Sequence, residues 1–166
     1  MLLFDLDCFG LSTCADDGKP HYLDDVAASI KRLKAEGAHS VSVVGASLGG
    51  SIAFASGARL AGSLRAVADL SGDELTTDVG GGAHPVTASS AAANMRLPVL
   101  FATAPDDRYL TLADARDLAK RTASSDKRLL VQPEGAGHGW DMLVAADGGW
   151  TALATKLATF LRTHAG

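Results

Sequence analysis

Ser47 stands at the centre of a glycine pattern that could carry nucleophilic chemistry. The pattern reads Gly45-Ala46-Ser47-Leu48-Gly49-Gly50 and directly follows the apolar residues 41–44. A sharp turn from a strand into a helix crowds the backbone two residues to either side of its central serine, so glycine is expected at those places. Such a turn lifts the serine oxygen above the sheet at the N-terminus of a helix. The pattern therefore predicts that Ser47 is a nucleophile.

A serine hydroxyl is a weak nucleophile until a base takes its proton, so the prediction requires a histidine. We expect His138 to be this base, because it lies in the glycine-rich residues 133–140 just after the last predicted strand. The flanking glycines would let a loop carry the imidazole over the edge of a sheet. The other four histidines are interpreted as surface, terminal or loop residues: His21, His39, His84 and His164.

A carboxylate that orients the histidine is also required. Asp106 and Asp107 follow the apolar residues 97–102, and we expect Asp107 to be the acid and Asp106 to be a turn residue. Asp69 and Asp73, near the end of another predicted strand, are the reserve candidates. The chain order of serine, aspartate and histidine places each group at the carboxyl end of a different strand, where catalytic groups of parallel sheets gather.

The elements that must position these groups alternate along the chain. Short apolar runs alternate with segments of helical periodicity, which is typical of βα units around a parallel sheet. Five strands are predicted, at residues 1–6, 40–44, 64–70, 97–102 and 128–132. Helices are predicted at residues 21–37, 47–60, 112–123 and 150–164. Residues 72–96 are interpreted as a mobile connection that ends in a helix near 88–94, with a small lid as the alternative.

The composition restricts the fold and the partners. A chain of 166 residues with 47% hydrophobic and 20% charged residues is expected to form one folded domain, residues 1–166. The net charge of −4 makes nucleic acid and anionic membrane unexpected partners. The apolar residues 1–4 are interrupted by Asp5 and Asp7, so they are too short to predict a membrane span. They also lack the basic region that is typical of a signal peptide. We expect a cytoplasmic protein in which Cys8 and Cys14 are free thiols.

These motifs, in this order, resemble the α/β-hydrolase fold family, in particular its capless esterase-like and dienelactone-hydrolase-like members. Residues 4–12 are similar to the family's stretch after its fourth strand, and residues 45–50 to its nucleophile turn. Residues 104–107 resemble the acid loop, with Ala104 in place of the usual glycine, and residues 135–139 resemble the histidine loop. The resemblance implies a mostly parallel sheet of about five strands flanked by helices.

The sequence departs from that family at its beginning. Three strands and a helix normally precede the segment that corresponds to residues 1–6, and the loop after the third strand supplies one of two oxyanion donors. In the family's sheet the third strand lies between the fourth, which corresponds to residues 1–6, and the fifth, which precedes the nucleophile turn. We therefore expect residues 1–6 to shift beside residues 40–44, or a second chain to cover the edge. In the shifted arrangement the loop 7–10 would lie near Ser47 and could replace the missing donor. On balance a homodimer is expected.

The sequence therefore predicts a serine hydrolase that cleaves small carboxylic esters through an acyl-enzyme. Ser47 would attack, His138 would act as base and then acid, and Asp107 would orient the imidazole, with the Leu48 N–H as an oxyanion donor. Neither a cofactor nor a metal is expected. The alternatives are a non-catalytic hydrolase remnant used for binding or assembly, and a hydrolase completed by a partner chain. Retention of the serine, the aspartate and the histidine favours the enzyme, whereas the missing oxyanion loop favours the remnant.

Overall fold

The computed structural model describes residues 1–72, 75–80 and 85–166. At its centre lies a parallel sheet whose strands follow the order β1-β2-β3-β4. The strands are β1 (Val43–Ala46), β2 (Val67–Leu70), β3 (Val99–Thr103) and β4 (Lys127–Val131). The α-helices are α1 (Tyr22–Ala35), α2 (Leu48–Arg59), α3 (Ala88–Ala91), α4 (Leu112–Arg121) and α5 (Ala152–Thr163). Short 3₁₀ helices span Ala61–Ser63, Ala92–Asn94 and Gly139–Leu143.

The two faces of the sheet support two separate parts of the core. Every residue of β2 and β3 is buried, as expected for the central strands of a parallel sheet that is covered on both faces. Alternate side chains point to opposite faces, so Val67 and Val99 pack on the side of α1, α2 and α3. Ala68 and Leu100 pack on the other side, against α5 and the Gly139–Leu143 turn. The predicted α/β architecture, with a parallel sheet between helices, is confirmed.

The first helix shows how the sequence sets the limits of an element. Leu23, Val26 and Ile30 are its buried side chains and recur at helical spacing on one face. Gly37 ends the helix with a φ of 94°, a conformation that glycine adopts without strain. The predicted helix at residues 21–37 is therefore confirmed to within two residues at each end.

The predicted first strand, at residues 1–6, is wrong, and the described sheet has four strands rather than five. Residues 1–6 run beside β1 and share cavity walls with it, but they form no ladder with β1. Their carboxyl end is held instead by side chains: the Asp7 N–H donates to Asp25 Oδ2 at 2.7 Å, and the Leu11 N–H donates to Asp5 Oδ2 at 2.9 Å. Residues 1–5 are exposed and residue 6 is half-buried, so this apolar sequence corresponds neither to a buried strand nor to backbone pairing.

The prediction of free thiols is also wrong, because Cys8 and Cys14 form a disulfide. Left-handed residues at Cys8 and Gly10 turn the loop back on itself, which brings the two cysteine Cα atoms to 4.3 Å. Asp7 Oδ1 accepts the Ala15 N–H at 2.9 Å and fastens the ends of the same loop. The expectation of a cytoplasmic location therefore loses the support of the free thiols on which it rested.

The irregular residues 72–96 are packed where the structure describes them. The predicted helix near residues 88–94 is confirmed as α3 and the 3₁₀ turn that follows it. Val79 is fully buried, and its N–H donates to the Val86 carbonyl oxygen at 2.8 Å. The reserve acid Asp73 and the loop residue His84 lie outside the described residues. In the described ranges, no helix has both the length and the apolar character that crossing a bilayer requires.

Candidate active site

Ser47 occupies a tight turn between the end of β1 and the start of α2. Its backbone has φ 55° and ψ −131°, a left-handed conformation that costs a residue with a side chain on the order of 1–3 kcal/mol. The Ser47 N–H donates to the Leu70 carbonyl oxygen at 3.0 Å, and the Ser47 carbonyl oxygen accepts the Gly50 N–H at 2.8 Å. The turn is thus held both by the neighbouring strand and by the helix that it starts.

The glycines around Ser47 differ in how much space a side chain would have at each position. A Cβ on Gly45 would lie 1.8 Å from the Gly49 carbonyl oxygen, so the predicted crowding before the serine is confirmed. A Cβ on Gly49 would meet nothing within 4 Å, so the predicted crowding two residues after the serine is wrong. The close approach falls one residue later, where a Cβ on Gly50 would lie 2.4 Å from Asp69 Oδ1. The helix packs onto β2 through Gly50.

Asp107 and His138 are hydrogen-bonded to each other. The Nδ1 atom of His138 lies 2.9 Å from each carboxylate oxygen of Asp107. The Asp107 side chain is fully buried, whereas the His138 side chain is 22% exposed. Asp107 Oδ1 also accepts the backbone N–H groups of Tyr109 at 2.9 Å and Leu110 at 3.2 Å. A carboxylate fixed in this way holds the imidazole in one orientation.

The same environment determines the charge of the Asp107 carboxyl group. Burial raises its pKa, but the Ser71 hydroxyl, the Tyr109 N–H, the His138 ring and the Leu110 N–H together outweigh burial and hold the pKa below its ordinary value. The Ser71 hydroxyl makes no hydrogen bond of regular geometry with the described residues, so its influence on Asp107 is one of proximity. Asp107 is therefore ionised at neutral pH and can stabilise a protonated His138.

The loop that carries His138 lies against the serine turn. A Cβ on Gly139 would stand 3.6 Å from the Ser47 backbone nitrogen, so the residue after His138 touches the turn. The Tyr109 ring packs on the imidazole at a centroid distance of 4.7 Å. The Nε2 atom of His138 is buried and makes no hydrogen bond within the described part of the chain. The structure thus brings Asp107 and His138 together and places the loop of His138 beside Ser47.

Three contributions to this site went unnoticed in the sequence. Asp106, expected to be only a turn residue, accepts the Gly135 N–H on Oδ2 at 3.1 Å and ties the acid loop to the histidine loop. The Tyr109 ring and the Ser71 hydroxyl lack any local pattern that would have revealed them. The reserve acid Asp69 is buried in β2 beside the first turn of α2, and its Oδ1 accepts the Gly72 N–H at 2.7 Å.

A cleft of about 500 Å³ opens beside the serine turn. Leu48 lines it together with Asp7 and the Cys8–Cys14 disulfide, and Tyr22 forms part of its wall. Asp7 and Cys8 of the loop 7–10 therefore share a cleft wall with Leu48, although residues 1–6 do not pair with β1. Across the described residues, no three His, Cys, Asp or Glu side chains come together as a metal centre would need.

Several solved structures share this fold. The esterase of Pyrococcus furiosus superposes with a TM-score of 0.76 at 14% identity, over 98% of this chain and 70% of that protein. The esterase domain of a Rhodothermus marinus protein gives a TM-score of 0.64 at 21% identity, over 87% of this chain and 69% of that domain. A predicted hydrolase of Thermoplasma acidophilum gives 0.64 at 20% identity, over 96% and 70% of the two chains.

No curated protein matches the sequence at a significant level. The family model described as "Dienelactone hydrolase family" matches residues 12–155. This match contains the serine turn, the Asp107–His138 pair and every strand of the described sheet. Because the match covers most of the 166 residues and the fold is that of α/β-hydrolase esterases, the chain belongs to the dienelactone hydrolase family.

Proposed function

We propose that this chain is a serine hydrolase that cleaves small carboxylic esters through an acyl-enzyme. The observation that carries the proposal is the hydrogen-bonded Asp107–His138 pair, because the loop of His138 lies against the strained turn at Ser47. Family membership and the esterase neighbours support hydrolase chemistry on this fold. Short acyl groups fit the proposal best, because the described residues add no separate cap domain over the cleft.

Each residue of the proposed triad has one task. His138 takes the hydroxyl proton of Ser47 on Nε2 as the serine oxygen attacks the ester carbonyl. Asp107 holds the Nδ1–H of His138 and stabilises the imidazolium that forms. His138 then gives the proton to the departing alcohol, which leaves an acyl group on Ser47. Water, activated by the same imidazole, attacks this ester and releases the acid.

The tetrahedral intermediate needs hydrogen-bond donors for its oxyanion. We assign one donor to the Leu48 N–H, which follows the nucleophile and belongs to the first turn of α2. We assign the second to the backbone of the loop 7–10, because Asp7 and Cys8 share the cleft wall with Leu48. Loss of one such donor typically lowers kcat by a factor on the order of 10²–10³. The loop 7–10 is therefore important for the rate of ester cleavage.

The proposal is tested with p-nitrophenyl acetate and a fluorophosphonate probe on the purified 166-residue chain. We expect a burst of p-nitrophenol and stoichiometric labelling, both abolished by Ser47→Ala. Ser56→Ala is the matched control, since Ser56 is a buried serine later in the same helix. Labelling that survives Ser47→Ala would place the nucleophile elsewhere. An unlabelled wild-type chain with no burst would favour the non-catalytic alternative.

A further inference from the structure

Ser71, the residue that follows β2, has the same left-handed backbone conformation as Ser47. Its φ is 55°, and in the described ranges Cys8 and Ser47 are the only other non-glycine residues with a positive φ. A residue with a side chain adopts this conformation at a cost, and such strain is concentrated at functional sites. Glycine would avoid the cost, so the hydroxyl group is what distinguishes serine at this position.

Two hydrogen bonds hold Ser71 in this conformation. Asp69 Oδ1 accepts the Gly72 N–H at 2.7 Å and closes a turn across Ser71. The Ser71 N–H donates to the Ala102 carbonyl oxygen at 2.8 Å, which fastens the residue to β3. Asp69 is buried, and a Cβ on Gly72 would lie 2.6 Å from its Oδ1, so the turn is tightly packed. The surroundings therefore impose the strained conformation on Ser71.

Ser71 lies where the acid loop and the histidine loop meet above the sheet. The Asp107 N–H donates to the Ala104 carbonyl oxygen at 3.3 Å, so the acid loop turns back toward the end of β3. On the other side, a Cβ on Gly139 would lie 3.8 Å from the Leu70 carbonyl oxygen. The histidine loop therefore contacts the residue before Ser71, and the acid loop rises from the strand to which Ser71 is bonded.

The hydroxyl of Ser71 and the carboxylate of Asp107 each have unused hydrogen-bonding capacity. The Ser71 side chain is fully buried, and its Oγ makes no hydrogen bond of regular geometry with the described residues. Asp107 Oδ1 accepts the backbone N–H groups of Tyr109 and Leu110, whereas Oδ2 is contacted in the described part of the chain by His138 alone. A buried hydroxyl without an acceptor is unfavourable, and a carboxylate oxygen can accept more than one hydrogen bond.

We propose that Ser71 is a positioning residue of this site, whose hydroxyl donates to Asp107 Oδ2 and holds the carboxylate against His138. The hydroxyl hydrogen rotates to suit its acceptor, so the serine needs no change in its backbone to make this bond. Ser71 takes no part in proton transfer and acts only through Asp107. This role rests on the proposed function, because the carboxylate that Ser71 positions is the acid of the proposed triad.

The charge of Asp107 supports the same pairing. Burial raises the pKa of the Asp107 carboxyl, and the Ser71 hydroxyl comes first among the groups that lower it. A hydroxyl donates more strongly to a carboxylate than to a neutral acceptor, so the bond favours the ionised form. Ser71 therefore helps to keep the negative charge that stabilises a protonated His138.

The first experiment measures the hydrolysis of p-nitrophenyl acetate by Ser71→Ala, Ser71→Gly and the control Ser56→Ala. Ser56 is equally buried, and its hydroxyl also lacks a regular hydrogen bond among the described residues, but it lies within α2. Both Ser71 variants should lower kcat by about tenfold and leave KM within about twofold, because Ser71 acts on the acid and not on the substrate. Ser56→Ala should leave kcat and KM unchanged.

The second experiment follows the titration of the Asp107 carboxyl carbon by NMR and needs no enzymatic activity. Both Ser71 variants should raise the pKa of Asp107 relative to wild type, because each removes a donor to the charged form. Ser56→Ala should leave this pKa unchanged. A wild-type chain without an esterase burst would reject the proposed function, and the titration would still decide whether Ser71 donates to Asp107.

The two substitutions separate the hydroxyl from the backbone. Glycine adopts a φ of 55° without strain, so Ser71→Gly keeps the fold even if Ser71→Ala does not, and circular dichroism checks both. Wild-type kcat in Ser71→Gly would overturn the proposal, because the hydroxyl would then have no role. Loss of kcat without a rise in the pKa of Asp107, or a rise in this pKa without loss of kcat, would also reject the positioning role.

Discussion

Gly139 lies directly against the backbone of Ser47. A Cβ in its place would stand 3.1 Å from the Ala46 Cβ and 3.6 Å from the Ser47 nitrogen, and its φ of 58° is one that other residues rarely adopt. Because Gly139 follows His138, this contact sets how closely the imidazole can approach the serine turn. A glycine beside the histidine is thus a packing requirement of the proposed site, in addition to giving the loop conformational freedom.

The acid of the proposed triad can be identified by comparing two neighbouring aspartates. Asp107→Asn should lower kcat by about 10⁴-fold, because an amide no longer holds His138 in the required tautomer. Asp106→Asn keeps an oxygen that can accept the Gly135 N–H, so its loss should be less than about tenfold. Steady-state hydrolysis of p-nitrophenyl acetate measures both. The opposite ranking would transfer the role to Asp106, and equal indifference would direct attention to Asp69.

Asp107 should also give the fold a specific dependence on pH. Its folded pKa lies below the ordinary value of 3.8. A lowered folded pKa contributes stability that is fully present above the unfolded pKa and is lost as the pH falls through the folded pKa. Urea unfolding from pH 7 to pH 2 should therefore show a gap between wild type and Asp107→Asn that narrows below about pH 4. A gap that stays constant over this range would contradict the assignment.

The elements around the site could be predicted because their signals are local. Strands buried on both faces give continuous apolar runs, and α1 shows its buried face and its terminal Gly37 in the sequence. The order of Ser47, Asp107 and His138 along the chain likewise anticipated which aspartate and histidine the fold brings together. These inferences needed only neighbours in sequence and the general rule for the carboxyl ends of parallel strands.

The errors concern contacts between distant residues. Residues 1–6 have the composition of a strand, but pairing depends on whether a partner's backbone is within reach, and no local pattern reports that distance. The Cys8–Cys14 disulfide depends on a loop that turns back through a left-handed Cys8. The contact from Gly135 to Asp106 depends on how two loops meet above the sheet. Each of these is set by the path of the chain in three dimensions.

The disulfide should make a measurable contribution to stability. Closing a loop of about seven residues lowers the entropy of the unfolded chain by an amount worth about 2 kcal/mol. The double variant Cys8→Ser/Cys14→Ser should therefore unfold at a Tm lower by about 4–8 °C. Scanning calorimetry measures the shift, and a reductant should lower the Tm of the wild type only. A wild-type Tm that does not respond to the reductant would show that the bond does not stabilise the fold.

The two glycines that flank Ser47 provide a matched pair of substitutions in one turn. Gly45→Ala would place a Cβ 1.8 Å from the Gly49 carbonyl oxygen, and the backbone atom it meets cannot rotate away. We expect it to lower the free energy of unfolding by about 3 kcal/mol or more, or to prevent folding. Gly49→Ala adds a Cβ in open space within α2, where alanine is the better helix former. It should raise the free energy of unfolding by about 0.5–1 kcal/mol. Urea unfolding of the two variants measures both effects, and destabilisation by Gly49→Ala equal to that by Gly45→Ala would mean that the turn is packed differently from the structure described above.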